Sequence, residues 1–357
     1  MACALSAVLA ALVFAPTLLF QGCQRNRSTK PAEIAYVTAG QGNLRDRVSA
    51  VFNKVGIVRN GEAVEVLERS KRFVRVRTGR GEEGWIEEHS LVSKDVFERL
   101  QKLRTENASA PVQAQATIRA MLYMHVDPVR DADHLYLLKE GEKVEILKRA
   151  SSEKRQARIA AFPKSTSNIV FEKANPDSQV PLAPALEDWF LIRDSQKRVG
   201  WALARMIDLG TPLEIAQYAE GQRIAAYFVL NQVQDGGKNI PQYLVLLTQP
   251  KDGMPFDFDQ VRIFTWNLKR HRYETAYRER KLFGVFPAEV AQEDFGKEGK
   301  LPVFFVRVRS ESGNTLERKY KLNGPVVRRV ITEGEQRQSK AEHPAQSVGT
   351  AQKGRQR

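Results

Sequence analysis

Apolar and polar residues alternate along several short segments of the chain, and this pattern predicts a mainly β protein. The pairs Val64 and Val66, and Val74 and Val76, are each separated by one polar residue. A period of two places one side chain in the interior and the next in solvent, as in a half-buried strand. Short polar segments between such strands favour antiparallel connections.

The strand pattern occurs twice along the chain. The segment Gly61–Arg69 (GEAVEVLER) matches Gly141–Arg149 (GEKVEILKR), and further on Gly84-Trp85-Ile86 matches Gly200-Trp201-Ala202. Each copy has enough short strands to close into a small barrel, which would leave no exposed sheet edge. The repeat therefore predicts two copies of one antiparallel unit.

These matches set the predicted domain boundaries. We expect a first barrel over residues 34–93 and a second over residues 113–211, joined by a helix and linker over 94–112. Apolar residues at helical spacing within 94–104 predict one short amphipathic helix, which we expect to pack on the first barrel. A proline-rich stretch without periodicity predicts an inserted loop at about 151–187 in the second copy.

The remainder of the chain shows further alternation and predicts a β-rich domain over residues 212–332. We expect at least five strands, with hairpin connections at 267–271 and 310–314. The candidate strands are Tyr243–Leu247, Gln260–Trp266, Arg272–Tyr277, Val303–Arg309 and Leu316–Leu322. The stretch 212–233 is compatible with helix at its start and strand later, and residues 222–230 are ambiguous between the two. Residues 333–357 lack large apolar side chains and are predicted to be a disordered tail.

Together, the repeated segments resemble the bacterial SH3 domain family. The residues that carry the resemblance are Ala35-Tyr36-Val37, Asn43-Leu44-Arg45, the strand opened by Gly61, the strand of Phe73, and Gly84-Trp85-Ile86. The second copy departs where Tyr123-Met124-His125 replaces Asn-Leu-Arg. The resemblance implies two SH3-like β-barrels in tandem that recognise a cell-wall peptide or an envelope protein partner.

Aromatic residues of the two copies are candidates for a peptide-binding groove, because SH3-like barrels hold extended chains against aromatic side chains. The candidates for ligand binding are Tyr36, Trp85, Tyr123 and Trp201. The alternative is that these rings fill the small barrel cores. For Phe73 and Trp189 we predict that second, structural role.

The N-terminal segment has the features of an export signal. Residues from Ala4 to Phe20 are almost all apolar and contain Pro16, and the chain turns polar and basic after Cys23. An apolar run of this length, ending at small residues, is typical of a signal peptide over residues 1–22. The alternative is an uncleaved signal anchor in which Cys23 is incidental.

The segment Phe20-Gln21-Gly22-Cys23 resembles the lipobox of bacterial lipoproteins. The resemblance implies that the sulfur of Cys23 is acylated and becomes the first residue of the mature chain, followed by a tether over 23–33. Two acyl chains hold a protein stably on a bilayer. We therefore expect a lipid-anchored protein of the cell envelope, on the periplasmic or outer face of a membrane.

Charge adds a second candidate surface. The chain has a net charge of +14, with 56 Lys plus Arg against 42 Asp plus Glu, which favours polyanionic partners. Basic residues with interleaved aromatics cluster in one segment: Arg262, Lys269, Arg270, Arg272, Arg278, Arg280 and Lys281. This segment is interpreted as a solvated sheet face or as a contact for an anionic polymer or lipid, and nucleic acid is an unlikely partner.

No recognisable catalytic or metal-binding pattern is present. The five histidines are not spaced as zinc ligands, and the only cysteines are Cys3 and Cys23. The paired carboxylates Asp257 and Asp259 are interpreted as a solvated turn entry. We therefore predict a non-enzymatic binding protein without a cofactor. The alternatives are a cell-wall enzyme with an unrecognised site in residues 212–332, and an electrostatic binder of anionic polymers.

Overall fold

The computed structural model describes residues 33–154 and 184–331, which form three antiparallel sheets of seven strands each. The predicted mainly β fold class is confirmed. The expected signal peptide, Cys23 and its tether, most of the inserted loop and the predicted tail lie outside the described residues. No helix in the described ranges is long and apolar enough to cross a membrane.

The first sheet, here called module 1, is formed by residues 33–93. Its strands are β1 (Glu33–Val37), β2 (Gln41–Arg45), β3 (Lys54–Arg59), β4 (Ala63–Ser70), β5 (Phe73–Thr78), β6 (Glu83–Glu87) and β7 (Leu91–Ser93). They lie side by side in the order β3-β2-β6-β5-β4-β1-β7. Within the described residues no pairing joins β3 to β7, so the hydrogen-bond ladder does not close into a continuous ring.

One face of module 1 encloses its core. Of the four valines that alternation placed inside, Val64, Val74 and Val76 are buried, and Val66 is partly buried against them. The buried cluster draws on strands throughout the sheet: Ala35, Val37, Leu44, Val58, Val64, Val74, Val76 and Ile86. Because residues from distant strands of the sheet meet in one cluster, the sheet curls around them. The other face carries polar and aromatic side chains and is called the outer face below.

The second sheet, module 2, repeats this arrangement in residues 114–209. Its strands are β8 (Ala114–Ile118), β9 (Leu122–His125), β10 (His134–Leu138), β11 (Lys143–Glu153), β12 (Leu186–Asp194), β13 (Val199–Leu203) and β14 (Ile207–Leu209). The order β10-β9-β13-β12-β11-β8-β14 matches that of module 1 strand for strand. The strands β11 and β12 pair as far as Glu153 opposite Leu186, so the ladder extends into both ends of the predicted insertion.

The two modules share a close approach of neighbouring strands that explains one repeated glycine. It precedes the tryptophan on β6 in module 1 and on β13 in module 2. A Cβ atom on Gly84 would lie 2.7 Å from the Cβ of Leu44, and one on Gly200 would lie 2.8 Å from the Cβ of Met124. Such contacts are too close for any side chain, so the glycine lets the two strands approach each other. The repeated Gly-Trp pair therefore marks the same crossing point in both modules.

Helix α1 (Lys94–Glu106) lies between the modules. Its buried side chains Val96 and Leu100 belong to the core cluster of module 2, and Phe97 stacks on Tyr36 of module 1 with ring centroids 4.2 Å apart. The helix therefore packs on the first module, as expected, and in addition contributes its buried side chains to the core of module 2. Periodicity identifies the apolar side of a helix but does not say which sheet that side covers.

The third sheet follows the chain in simple up-and-down order. After the one-turn helix α2 (Leu213–Ala216) come β15 (Arg223–Asp235), β16 (Lys238–Thr248), β17 (Phe258–Asn267), β18 (Arg272–Asp294), β19 (Lys300–Arg309), β20 (Thr315–Asn323) and β21 (Val326–Val330). The five predicted strands and both predicted hairpins are confirmed. The stretch 212–233 holds α2 and most of β15, in the predicted order of helix and then strand. Strand β18 runs well beyond the segment that alternation indicated.

Module 2 and the third sheet are joined by a buried polar network. Asp188 is 1% exposed and accepts hydrogen bonds from Arg149 (2.7 Å) and Arg223 (3.0 Å) and from the backbone N–H of Gly253 (2.9 Å). Burial disfavours the ionised carboxylate, but these donors outweigh it and hold the pKa of Asp188 below its usual value. The ion pairs therefore tie the two sheets together.

Candidate binding surfaces

On the outer face of module 1, an arginine lies between two phenylalanine rings. The guanidinium of Arg45 is 4.3 Å from the ring centroid of Phe52 and 5.1 Å from that of Phe73, and it pairs with Glu87 at 3.0 Å. A depression of about 450 Å³ opens beside it, lined by Arg45, Val48, Ser49, Ala50, Lys71, Arg72 and Phe73. Phe73 is 5% exposed, as its predicted structural role requires, and only its edge reaches the depression. The depression thus combines three cationic side chains with a small aromatic edge, a chemistry suited to an extended chain that bears carboxylates.

Trp85 lies on this same outer face. Opposite residues of neighbouring strands share a face, and the ladder places Trp85 between Arg45 on β2 and Arg75 on β5. The indole is partly exposed and does not belong to the core cluster, whose member on β6 is Ile86. Trp85 therefore remains a candidate for ligand contact.

Tyr36 has a different role. It stacks on Phe97 of α1 and packs against the core cluster of module 2, so its ring helps to join the modules. It also has no aromatic counterpart in module 2. Strand β1 corresponds to β8, where Thr117 occupies the position of Tyr36, whereas Tyr123 lies on β9. We expected Tyr123 to be the counterpart of Tyr36 in the second copy, and the strand registers show that this expectation is wrong.

Module 2 carries histidines where module 1 carries its arginine. His125 takes the place of Arg45, and its ring lies edge-on to Trp189 with centroids 5.2 Å apart. The ring of Tyr123 contacts His134 at 4.4 Å, and the two histidine rings are 5.3 Å apart. Trp189 itself is 1% exposed, as its predicted structural role requires. Tyr123 remains partly exposed at the margin of this aromatic row.

Burial determines the charge state of His125. Desolvation and the neighbouring His134 both disfavour the imidazolium, and they lower the pKa of His125 although the carbonyl of Ala132 supports the charged form. At neutral pH this position is therefore uncharged. The outer face of module 2 lacks the cation that Arg45 supplies in module 1.

Trp201 is covered by neighbouring chain. It packs with the buried residues Leu147, Leu191 and Val199, against side chains from α1 and the linker that follows it (Leu103, Ala110 and Val112). All four aromatic candidates are half-buried, but only Tyr36 and Trp201 pack against a hydrophobic core cluster, and Trp85 and Tyr123 do not. Sequence reasoning could not separate them, because the covering segment lies outside both repeats.

The first module matches a known protein family. Residues 40–92 match the family model of the bacterial SH3 domain. This matched part includes the Arg45 depression and Trp85. The SH3 assignment predicted from the repeated motifs is therefore confirmed for module 1, and for module 2 it is supported by the shared strand order alone.

Similarities to solved structures are weak and carry no argument about function. An NlpC/P60 family protein from Bacillus cereus ATCC 10987 aligns with 56% of this chain and 65% of its own, at 11% identity and a TM-score of 0.21. NlpC1 and NlpC2 from Trichomonas vaginalis align with 70% and 85% of this chain and 88% and 97% of their own, at 9% and 10% identity, with TM-scores of 0.16 and 0.17. This chain thus spans slightly less than two thirds of the Bacillus protein. No curated protein matches the sequence.

The seven basic residues of the third sheet do not form one surface. Lys269, Arg270 and Arg272 lie at the hairpin between β17 and β18, where both arginines pair with Glu274. The other four lie near Glu220: Arg262 is buried and pairs with it, Arg278 and Arg280 also approach it, and Lys281 is exposed beside them. Arg262 in particular is not available to an external polymer.

The paired carboxylates at the start of β17, Asp257 just before it and Asp259 within it, have separate environments. Burial raises the pKa of Asp257, although its carboxylate accepts the backbone N–H of Phe286 at 2.7 Å and lies 3.3 Å from Arg149. The interpretation of this residue as part of a solvated turn is therefore wrong. Asp259 is partly exposed and lies 3.4 to 3.5 Å from two glutamine amides. Across residues 33–154 and 184–331, no group of three His, Cys, Asp or Glu side chains is arranged to hold a metal.

Several residues in these surfaces were not found from the sequence. Phe52 lies in the loop between β2 and β3, where no periodicity singles it out. The Arg149–Asp188 pair joins two strands that the insertion separates in sequence. The one available indication in the sequence is a charged residue at an otherwise apolar strand position, such as Asp188, because a buried charge requires a partner.

Proposed function

We propose that this protein is a non-enzymatic envelope lipoprotein that binds a cell-wall peptide through the outer faces of its SH3-like modules. The observation that carries the proposal is the Arg45 depression of module 1, where a cation lies between Phe52 and Phe73 and beside Trp85. Wall peptides are extended chains rich in carboxylates. Such a chain is attracted by the cations and packs its backbone against the rings.

The match of residues 40–92 to the bacterial SH3 domain supports this proposal, because modules of that family commonly bind peptidoglycan. Module 2 contributes a second, uncharged contact through Tyr123. Two linked contacts raise the total affinity without requiring either one to be strong.

Co-sedimentation with purified peptidoglycan tests the proposal. We expect the protein to pellet with sacculi, and to remain largely bound at about 0.5 M NaCl, because aromatic contacts are less sensitive to salt than exposed charge pairs. Complete release at that salt concentration would instead support simple electrostatic attachment. Dye release from labelled peptidoglycan by the purified protein would contradict the non-enzymatic part of the proposal.

The lipid anchor is tested separately. In the producing bacterium, Cys23→Ser leaves no thiol for acylation, so we expect loss of labelled palmitate and accumulation of the unprocessed precursor. Cys3→Ser is the matched control, because Cys3 lies within the predicted signal peptide and its loss leaves anchoring intact. A Cys23→Ser chain of mature length that stays with the membrane would overturn the lipoprotein assignment.

A further inference from the structure

A cavity of about 580 Å³ opens on the third sheet, outside both modules. Its lining combines cationic side chains, side-chain amides and apolar rings in one place. The residues that matter for binding are Gln222, Gln249, Gln260, Arg280, Lys281 and Phe283. Each glutamine offers both hydrogen-bond donors and an acceptor, which is what a peptide backbone requires.

Positive charge exceeds negative charge around this cavity. The carboxylate of Glu220 is already engaged by Arg262 at 2.8 Å and Arg278 at 2.9 Å. Arg280 is 3.9 Å from the same carboxylate, and Lys281 forms no ion pair with any residue in the described ranges. The remaining carboxylate at the cavity, Asp259, lies near amides rather than cations. Arg280 and Lys281 therefore have charge to offer to an incoming anion.

One of these cations is held in place. The Nε of Arg280 donates to Oε1 of Gln260 at 2.9 Å, and Gln260 is only 2% exposed. The terminal nitrogens of the guanidinium make no hydrogen bond to another described residue. A guanidinium fixed through Nε and otherwise unbonded is suited to bidentate binding of a carboxylate.

The backbone at the cavity is unusual at two positions. Glu220 and Lys281 both line it and adopt left-handed conformations, with φ of 54° and 60°, which non-glycine residues rarely do. At Lys281 the strand also bulges: Phe258 pairs with Gly284 but Gln260 pairs with Arg280, so β18 has two residues more than β17 over this interval. Bulges redirect side chains and occur often beside functional sites.

We propose that this cavity binds the free carboxyl terminus of a peptide. Arg280, held by the buried Gln260, and Lys281 take the terminal carboxylate, Gln222 and Gln249 bond the preceding amide group, and the last apolar side chain packs against Phe256 and Phe283, whose rings meet edge-to-face at 5.6 Å. This site adds a function to the proposed wall binding and does not depend on it, because none of its residues belongs to either module.

Calorimetric titration of the purified protein tests the proposal with the tripeptide acetyl-Ala-Ala-Leu and with its C-terminal amide. We expect the acid to bind with a dissociation constant below about 1 mM and the amide to bind at least about tenfold more weakly, since a charge-assisted contact is lost. Arg280→Gln and Lys281→Gln should each weaken binding of the acid by a similar factor. Arg272→Gln and Lys269→Gln are matched controls, because they remove the same charges at the distant hairpin and leave the cavity intact.

Equal binding of acid and amide, no binding of the acid, or equal losses in the cavity and hairpin variants would each overturn the assignment. Lys281→Gly provides a check that does not depend on loss of folding. It relieves the left-handed conformation, so its thermal midpoint should rise while its affinity for the acid falls. Titration of a Trp85→Ala, Tyr123→Ala protein should give unchanged affinity for the tripeptide, which separates this site from the wall-binding surfaces.

Discussion

The two modules share one strand order but present different outer faces. In module 1 the outer face carries the charged Arg45 between two phenylalanines, with Trp85 partly exposed beside it. In module 2 the corresponding positions hold the uncharged His125 and a Trp201 that is covered by α1 and its linker. The strand order is shared although core residues differ, as with Ile86 in module 1 and Ala202 in module 2. We infer from the outer faces that ligand binding belongs mainly to module 1 and a supporting role mainly to module 2.

The largest expected change in the free energy of unfolding concerns the contact between module 2 and the third sheet, which module 1 does not make within the described residues. The position of Asp188 corresponds to Arg72 in module 1, which lies at the surface. Asp188→Asn removes the buried charge that pairs with both Arg149 and Arg223 and leaves Arg149 with Asp257 as its ion-pair partner, so we expect a loss of about 3 kcal/mol in the free energy of unfolding. Urea denaturation followed by tryptophan fluorescence measures it. Asp208→Asn, which removes an exposed pair with Arg119, should cost less than about 0.5 kcal/mol; similar losses in both variants would argue against the joint.

A second test concerns the helix between the modules. Leu100 is 1% exposed within the core of module 2, so Leu100→Ala should destabilise the protein by about 3 kcal/mol. Lys102→Ala on the exposed side of the same helix should change stability by less than about 0.5 kcal/mol. Hydrogen exchange should show the loss in β9 and β13 of module 2. Faster exchange in the core strands of module 1 instead would reverse the assignment of the helix.

The smallest expected effect is on the pH dependence of stability and concerns His125, which stands in module 2 where module 1 has Arg45. Because the folded pKa of His125 lies below its usual value of 6.5, the unfolded chain binds more protons in that range, and stability falls as the pH drops through about 6.5. Thermal midpoints from about pH 8 to pH 5 should fall less steeply in His125→Gln than in the parent protein. His89→Gln is the control, since His89 is exposed on module 1. Identical pH profiles for parent and His125→Gln would show that this histidine is not effectively buried.

The sequence predicted the modules well because their signals are local. Alternating valines such as Val64 and Val74 identified the core-facing positions, and the repeated Gly-Trp pair marked a strand crossing that leaves no room for a side chain. These features depend on residues close to one another in the chain, or on a pattern that occurs twice.

The surfaces were less predictable because they depend on contacts between distant segments. Nothing in the sequence of α1 shows that Leu100 enters module 2, or that Leu103 helps to cover Trp201. The third-sheet cavity combines residues from the segment before β15, the loop after β16, and the strands β17 and β18, and its glutamines have no spacing that would have brought them together. The seven basic residues formed one segment in sequence, but the fold divides them between a hairpin and a cavity.

The most direct test of the account compares one substitution in the two modules, Trp85→Ala and Trp201→Ala, for both stability and binding to peptidoglycan at about 0.5 M NaCl. We predict that Trp201→Ala costs about 3 kcal/mol of unfolding free energy, whereas Trp85→Ala costs about 1 kcal/mol and lowers the bound fraction several-fold. If Trp85→Ala instead binds sacculi as well as the parent protein does, module 1 is not the ligand-binding surface.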